Sequence, residues 1–133
     1  MKSIITGLFL VLIAAQAGLH AQEAQGNLVE WEQQQLDLGH IAKGDKVSKS
    51  YTFINISEQE VEIDLVSTCE CTEAKWTQGK IGPGEEGKVE FTFDSAKKDV
   101  AEPIDVDVYF LNINPKSGRP YSSFLSYIFD FAE

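Results

Sequence analysis

The sequence is poor in the residues on which most catalytic and metal sites depend. Its 133 residues include two cysteines, two histidines and one methionine, and His40 is the only histidine after residue 21. A single imidazole gives no nucleophilic triad, because the base needs both a nucleophile and an orienting group. A zinc site would require four protein ligands, which these residues do not supply. The sequence therefore predicts no catalytic residues and no enzyme.

Basic residues are also scarce. Lys and Arg number 11 against 21 Asp and Glu, which gives a formal net charge of −10 at pH 7. A surface this acidic repels the phosphates of nucleic acids and the headgroups of anionic lipids. The simplest effect of the charge is to keep the protein in solution. We therefore expect no nucleic-acid partner.

The sequence also has no apolar run long enough to span a membrane. The apolar run that follows Lys2 covers residues 4–17, which is short of the roughly 20 residues that a membrane-spanning helix needs. Small residues end the segment before Ala21, and this arrangement is typical of a secretory signal peptide rather than of a retained anchor. We predict that residues 1–21 are cleaved between Ala21 and Gln22. The mature protein would then be exported to the periplasm or the extracellular space, without membrane insertion.

The rest of the chain has a period of two. Apolar and polar residues alternate in residues 47–53, 61–65, 89–93, 104–110 and 125–131, and more weakly in residues 28–31 and 36–38. Residues two apart on a strand share a face, so each of these segments would bury one side.

Turn residues separate the alternating segments, for example Pro83 followed by Gly84. We predict an all-β protein, an antiparallel immunoglobulin-like sandwich of about seven strands. Residues 22–35 would form a lead-in with the first strand, and residues 36–133 would form the sandwich domain. Helix is expected at most as one turn within residues 95–100.

One stretch carries a more specific pattern. It contains Tyr-Thr-Phe-Ile-Asn at residues 51–55, Ser-Thr-Cys-Glu-Cys-Thr at 67–72, Trp76, a Pro-Gly-Glu turn at 83–85 and a strand ending in Phe-Asp at 93–94. These residues, with Leu-Asp-Leu-Gly at 36–39, resemble the bacterial domain of unknown function 1573 family. The resemblance implies an immunoglobulin-like fold and an exported location, and it implies no established activity. Glu70 stands where that family has glycine.

Cys69 and Cys71 are the only two cysteines. On an extended strand their Cα atoms would be about 6.6 Å apart, near the upper limit for a disulfide, so a bridge would need a bend. Three alternatives stay open: a local disulfide or two inert buried thiols, a Cu(I) site with two thiolate ligands, and a thiol-redox pair. Glu70 and Glu73 place negative charge beside the sulfurs, which disfavours the thiolate form.

The sequence favours a non-catalytic interaction module of unknown ligand. Sandwiches have edge strands that can accept a partner's strand, and the long segment of residues 112–120 is a second candidate contact for a protein partner. The alternative function is Cu(I) binding or thiol redox chemistry at Cys69 and Cys71.

Four further residues are candidates for modification or binding. Asn55 lies in an Asn-Ile-Ser glycan acceptor sequence, and Ser95 lies in an Asp-Ser-Ala sequence that resembles a bacterial O-glycan acceptor. Trp31 and Trp76 could form carbohydrate platforms, although aromatic residues in sandwiches usually pack in the core. His40 follows a turn glycine and is expected at the surface.

Overall fold

The computed structural model describes residues 27–133, so the predicted signal peptide and its cleavage point between Ala21 and Gln22 lie outside the described residues. Eight strands and one short 3-10 helix follow in this range: β1 Val29–Trp31, β2 Gln35–Ile41, β3 Lys46–Asn55, β4 Ile63–Ser67, β5 Thr72–Trp76, β6 Glu86–Asp94, the 3-10 helix Ser95–Lys97, β7 Ile104–Ile113 and β8 Pro120–Phe131. In this range, no helix is apolar and long enough to span a membrane.

The strands form two four-stranded sheets. Sheet A has the order β1-β3-β6-β5, and sheet B has the order β2-β8-β7-β4. All pairs are antiparallel except β2 with β8, which is parallel. The predicted all-β architecture is confirmed. The sequence missed β5, a strand of five residues whose alternation is short and includes the small residue Ala74.

Aromatic residues from both sheets meet in the core. The ring of Phe91 on β6 stacks on Tyr127 of β8 with centroids 4.6 Å apart, and Phe93 lies 4.5 Å from Phe129. The Tyr51 hydroxyl donates to the Ser126 carbonyl oxygen across the sandwich at 2.6 Å. Each such ring buries about 150–250 Å², so these contacts hold the two sheets together.

One predicted strand face is wrong. The alternation of residues 61–65 places Leu65 on the buried side with Val61 and Ile63, whereas Leu65 is 50% exposed and Val66 is buried. The pairing of β4 with β7 shifts register between Ile63 and Leu65. An extra residue in a strand moves every later side chain to the opposite face. Because Leu65 and Val66 are both apolar, the alternation in the sequence does not show which of them is buried.

The segment of residues 112–120 is a hairpin connection and not a long open loop. Strand β7 continues to Ile113, which pairs with Pro120 at the start of β8. Between them, the Asn114 amide donates to the Arg119 carbonyl oxygen at 2.7 Å, and the Gly118 amide donates to the Asn114 carbonyl oxygen at 2.8 Å. The turn therefore satisfies several of its own backbone groups.

Gly87 makes room for the Phe53 ring on the neighbouring strand β3. It pairs with Phe53 across β3 and β6, and a Cβ atom at residue 87 would overlap the ring of Phe53, which is 1% exposed. The ring cannot move away, because it also packs on Trp31 and Phe110.

We therefore expect Gly87→Ala to lower the free energy of unfolding by about 1–3 kcal/mol, the usual cost of overpacking a core. Gly82→Ala is the matched control, since its added methyl group would meet the Glu85 side chain, which is exposed. Urea denaturation of both variants measures the effect. Equal stability of the two variants would contradict the packing described for Phe53.

Candidate functional site

The two cysteines lie in the turn that joins β4 of sheet B to β5 of sheet A. The Thr72 amide donates to the Cys69 carbonyl oxygen at 3.1 Å and closes this turn. The Cα atoms of Cys69 and Cys71 are 5.1 Å apart, and their Sγ atoms form a disulfide. The spacing is shorter than in an extended strand because the chain bends at these residues. Within residues 27–133, positive φ occurs at glycines alone, so Glu70 adopts its turn conformation without needing the freedom of glycine.

Two hydroxyl groups adjoin the disulfide. Thr72 Oγ1 lies 3.3 Å from Cys69 Sγ and 3.4 Å from Cys71 Sγ, and it lies 2.6 Å from the Tyr127 hydroxyl oxygen. Burial raises the pKa of Tyr127 to about 12, so its phenol keeps its proton at neutral pH. When Tyr127 donates to Thr72 Oγ1, the single proton of Thr72 is free to point at a sulfur atom.

The two sulfurs differ in access. Cys71 is 3% exposed, whereas Cys69 is partly buried at the edge of the core. Cys69 lines an open groove with Lys98, Asp105 and Asp107. The Thr68 hydroxyl donates to the Asp105 carbonyl oxygen at 2.9 Å and fixes the turn against β7.

The groove is predominantly acidic. Burial, with a further contribution from the charge of Asp105, raises the pKa of Asp107 above its ordinary value. Lys98, the basic residue that lines the groove, is paired with Glu102. Lys97 Nζ donates to the Glu70 carbonyl oxygen at 3.3 Å in the adjoining turn. The groove therefore presents a net negative surface to anything that approaches Cys69.

The structure brings no metal-ligand cluster together in the part of the chain that it describes. No group of three or more His, Cys, Asp or Glu side chains is placed there to hold an ion. His40 lies exposed on β2, and β2 and β4 are opposite edges of sheet B. The disulfide engages both sulfurs, so Cu(I) binding at Cys69 and Cys71 stays a prediction that would require the reduced protein.

The two glycan acceptor sequences have structural roles. Ser95 is fully buried, with its hydroxyl 2.6 Å from the Asp45 carbonyl oxygen and accepting from the Gly44 amide at 2.9 Å. Asn55 is 1% exposed. Neither side chain is accessible in the folded domain, so neither can carry a glycan there.

The two tryptophans pack against the core instead of forming an open platform. Both are partly buried against the cluster of core side chains. The Trp31 ring lies 4.7 Å from Phe53 and 6.4 Å from Tyr51. Core packing therefore explains these residues better than carbohydrate binding does.

The four sheet edges differ in how they are protected. Strand β1 has three residues, and both β2 and β4 shift register along their partners. Short or bulged edges resist further pairing. Strand β5 instead pairs with β6 without any shift, from Thr72 opposite Phe93 to Trp76 opposite Val89. Among the described edge strands, β5 is the one that has more than three residues and no register shift.

A model of a protein family, described as protein of unknown function (DUF1573), matches residues 29–118. No curated protein matches the chain.

Several solved structures are similar to the chain. The VesB protease of Vibrio cholerae is 20% identical with a TM-score of 0.62, over 78% of this chain and 32% of that one. A human CEP192 domain described as ASH or PapD-like is 12% identical with a TM-score of 0.63, over 82% and 88%. The YadV chaperone is 9% identical with a TM-score of 0.58, over 80% and 53%. The chain thus spans a third of the protease and half of the chaperone, and the likeness shows the fold alone: an immunoglobulin-like sandwich.

Asn55 joins the end of β3 to two loops. Its side-chain amide donates to the carbonyl oxygens of Gln59 at 2.8 Å and Ile81 at 3.0 Å. Its side-chain oxygen accepts from the Ser57 amide at 2.9 Å and from the Ser57 hydroxyl at 2.7 Å. All the hydrogen-bonding atoms of this buried side chain are used.

We expect Asn55→Ala to lower the free energy of unfolding by about 2 kcal/mol or more, because it removes the four hydrogen bonds by which this buried side chain holds two loops. The matched control is Asn114→Ala in the β7–β8 hairpin, whose side chain accepts one amide in an exposed turn. Thermal unfolding of both variants tests the difference. An Asn55→Ala protein as stable as the control would rule out this structural role.

Proposed function

Because the chain belongs to the DUF1573 family, a family of unknown function, we propose its role from its own geometry: an exported, non-catalytic module that binds a partner protein by strand addition at β5. The regular, open edge of β5 is the observation that carries this proposal. The fold is consistent with it, since neighbours of the same fold include a PapD-like domain and a protein described as a chaperone. The signal-peptide pattern of residues 1–21 supports export.

The backbone of β5 has groups available for a partner. The Asp94 amide donates to the Cys71 carbonyl oxygen, and the Thr77 amide donates to the Lys88 carbonyl oxygen. Hydrogen-bonded positions alternate in an antiparallel ladder, so Glu73 and Lys75 also bond to β6. The amide and carbonyl of Ala74 and the amide of Trp76 therefore face away from the sheet. The Trp76 carbonyl oxygen accepts from the Gln78 side chain at 3.0 Å.

The side chains of β5 suit an edge that receives a strand. Ala74 and Trp76 are partly buried against the core, while Glu73 and Lys75 are exposed on the outer face of sheet A. A partner strand added at β5 would place apolar side chains beside Trp76 on the core face of sheet A and polar side chains beside Lys75 on its outer face. The net charge of −10 favours a partner that is basic overall.

The hairpin of residues 112–120 is a weaker contact surface than β5. Its turn bonds its own backbone groups, as the Gly118 amide does with Asn114. A partner there would have to rely on side chains such as Lys116 and Arg119, which are exposed. Strand addition offers directed main-chain hydrogen bonds, which side-chain contacts at the hairpin do not.

Ala74→Pro removes an outward amide and leaves the ladder to β6 intact, because proline is tolerated at an edge position whose amide faces solvent. We expect this variant to lose less than about 1 kcal/mol of stability. Lys75→Pro is the matched control, since it removes an amide that bonds to β6 and should cost about 3 kcal/mol. Urea denaturation compares the two.

Binding at β5 is tested by photo-cross-linking. A photo-reactive amino acid is placed at residue 73 of the full chain, and the protein is produced in the organism from which it comes. We expect cross-links to a defined polypeptide, mapped by mass spectrometry to an extended segment that lies along β5. The Ala74→Pro substitution should abolish these cross-links, and a cross-linker at residue 116 should not capture the same polypeptide. Cross-links that persist in the folded Ala74→Pro protein would refute strand addition at β5.

A further inference from the structure

The disulfide between Cys69 and Cys71 contributes little to holding the domain together. The two residues are separated by 2 in sequence, and their turn is already closed by the hydrogen bond from the Thr72 amide to the Cys69 carbonyl oxygen. A cross-link that closes so short a loop removes little entropy from the unfolded chain. Sheet A and sheet B are held by the aromatic core instead, so the fold does not explain why the bond is there.

The unequal solvent exposure of the two sulfur atoms determines which of them an incoming thiolate can attack. A thiolate that attacks a disulfide must reach one sulfur and expel the other. Cys69 lines the open groove beside Lys98, whereas Cys71 is 3% exposed. An incoming thiolate therefore reaches Cys69, and Cys71 becomes the leaving group.

The hydroxyl groups of Thr72 and Tyr127 lie beside Cys71 Sγ, the sulfur atom that would leave. Thr72 Oγ1 is 3.4 Å from Cys71 Sγ and 2.6 Å from the Tyr127 hydroxyl oxygen, which is itself 4.0 Å from the same sulfur. With Tyr127 donating to Thr72, the Thr72 proton can point at Cys71. A hydrogen bond to a developing thiolate stabilises it more than one to a neutral sulfur.

We propose that the Cys69–Cys71 disulfide is a redox-active site that accepts two electrons from a dithiol of a partner protein. A partner thiolate attacks Cys69 Sγ, which forms a mixed disulfide and breaks the Cys69–Cys71 bond. The electron pair goes to Cys71, whose thiolate accepts the Thr72 hydrogen bond and then takes up a proton. The second partner thiolate attacks the partner's sulfur in the mixed disulfide, which expels Cys69 as a thiolate that takes up a proton from water and leaves the partner oxidised to a disulfide.

The charge around Cys69 selects among reductants. Glu102, Asp105 and Asp107 line the groove against one lining cation, Lys98. In the adjoining turn, Lys97 Nζ donates to the carbonyl oxygen of exposed Glu70 and offsets its charge, so the surface keeps a net negative charge. Small anionic thiols such as glutathione are repelled by this surface, whereas a neutral or basic dithiol is not. This site is independent of the strand addition proposed at β5, since neither requires the other.

The test is the rate at which the folded protein is reduced by dithiothreitol, a neutral dithiol, followed by thiol alkylation and intact mass. We expect reduction under native conditions. In the Thr72→Val variant the rate should fall about tenfold, since a hydrogen bond to a charged group is lost. The Thr72→Ser variant retains the hydroxyl and should keep the wild-type rate within about threefold.

Two tyrosines give a matched pair. The Tyr127→Phe variant removes the hydroxyl that orients Thr72 and should slow reduction, whereas Tyr51→Phe removes an equally buried hydroxyl that bonds to the Ser126 carbonyl oxygen and should not. A variant that merely loosens the fold would expose the disulfide and raise the rate of reduction, whereas loss of the hydrogen bond to Cys71 lowers that rate.

The attacked sulfur is identified with cysteamine, a cationic monothiol, followed by alkylation and fragment mass spectrometry. We expect cysteamine on Cys69 and the alkyl group on Cys71. The proposal is overturned if the native wild-type disulfide resists dithiothreitol, if Thr72→Val is reduced as fast as wild type, or if the adduct forms on Cys71.

Discussion

The contact between the two sheets through stacked aromatic rings is the interaction on which the rest of the molecule depends. Tyr127 packs face to face on Phe91, with an interplanar angle of 10°, and also contacts Phe93 at 5.4 Å. This packing brings strand β8 of sheet B against strand β6 of sheet A. The same tyrosine directs its hydroxyl at Thr72 beside the disulfide, so the core that stabilises the fold also arranges the candidate site.

A sandwich of two open sheets necessarily has four edges, and the chain protects them unequally. Three of the edges are protected against pairing with another strand: β2 and β4 by their register shifts, and β1 by its length of three residues. Strand β5 keeps a regular ladder, next to the turn that carries the cysteines. The two features that set this domain apart, an open edge and a disulfide between near neighbours, therefore lie on the same side of the sandwich.

Most of the fold could be read from the sequence, because strand alternation reports directly which side chains are buried. Val89, Phe91 and Phe93 follow the predicted pattern and are all buried. The pattern failed where neighbouring apolar residues made two registers equivalent, as at Leu65 and Val66, and where a strand was too short to alternate clearly, as in β5. The resemblance built on residues 51–94 was confirmed by the family match over residues 29–118.

The candidate site was less accessible to sequence reasoning. The sequence singled out Cys69 and Cys71 and included a local disulfide among three alternatives, but it could not show that the Thr72 amide closes the turn that such a bridge needs. Tyr127 is 56 residues from Cys71, and its contact with Thr72 arises from the packing of β8 under β5. No local motif encodes such a contact. Similarly, Asn55 and Ser95 resembled modification sites in sequence and are hydrogen-bonded core residues in the structure.

Strand addition requires that β5 offers unpaired backbone groups to a partner, and amide hydrogen exchange of the isolated protein measures this directly. If these groups are unpaired, the amides of Ala74 and Trp76 exchange at least about a hundredfold faster than those of Glu73 and Lys75, which bond to β6 within the same strand. Equal protection of all four amides would mean that the edge is already covered, and it would contradict strand addition at β5.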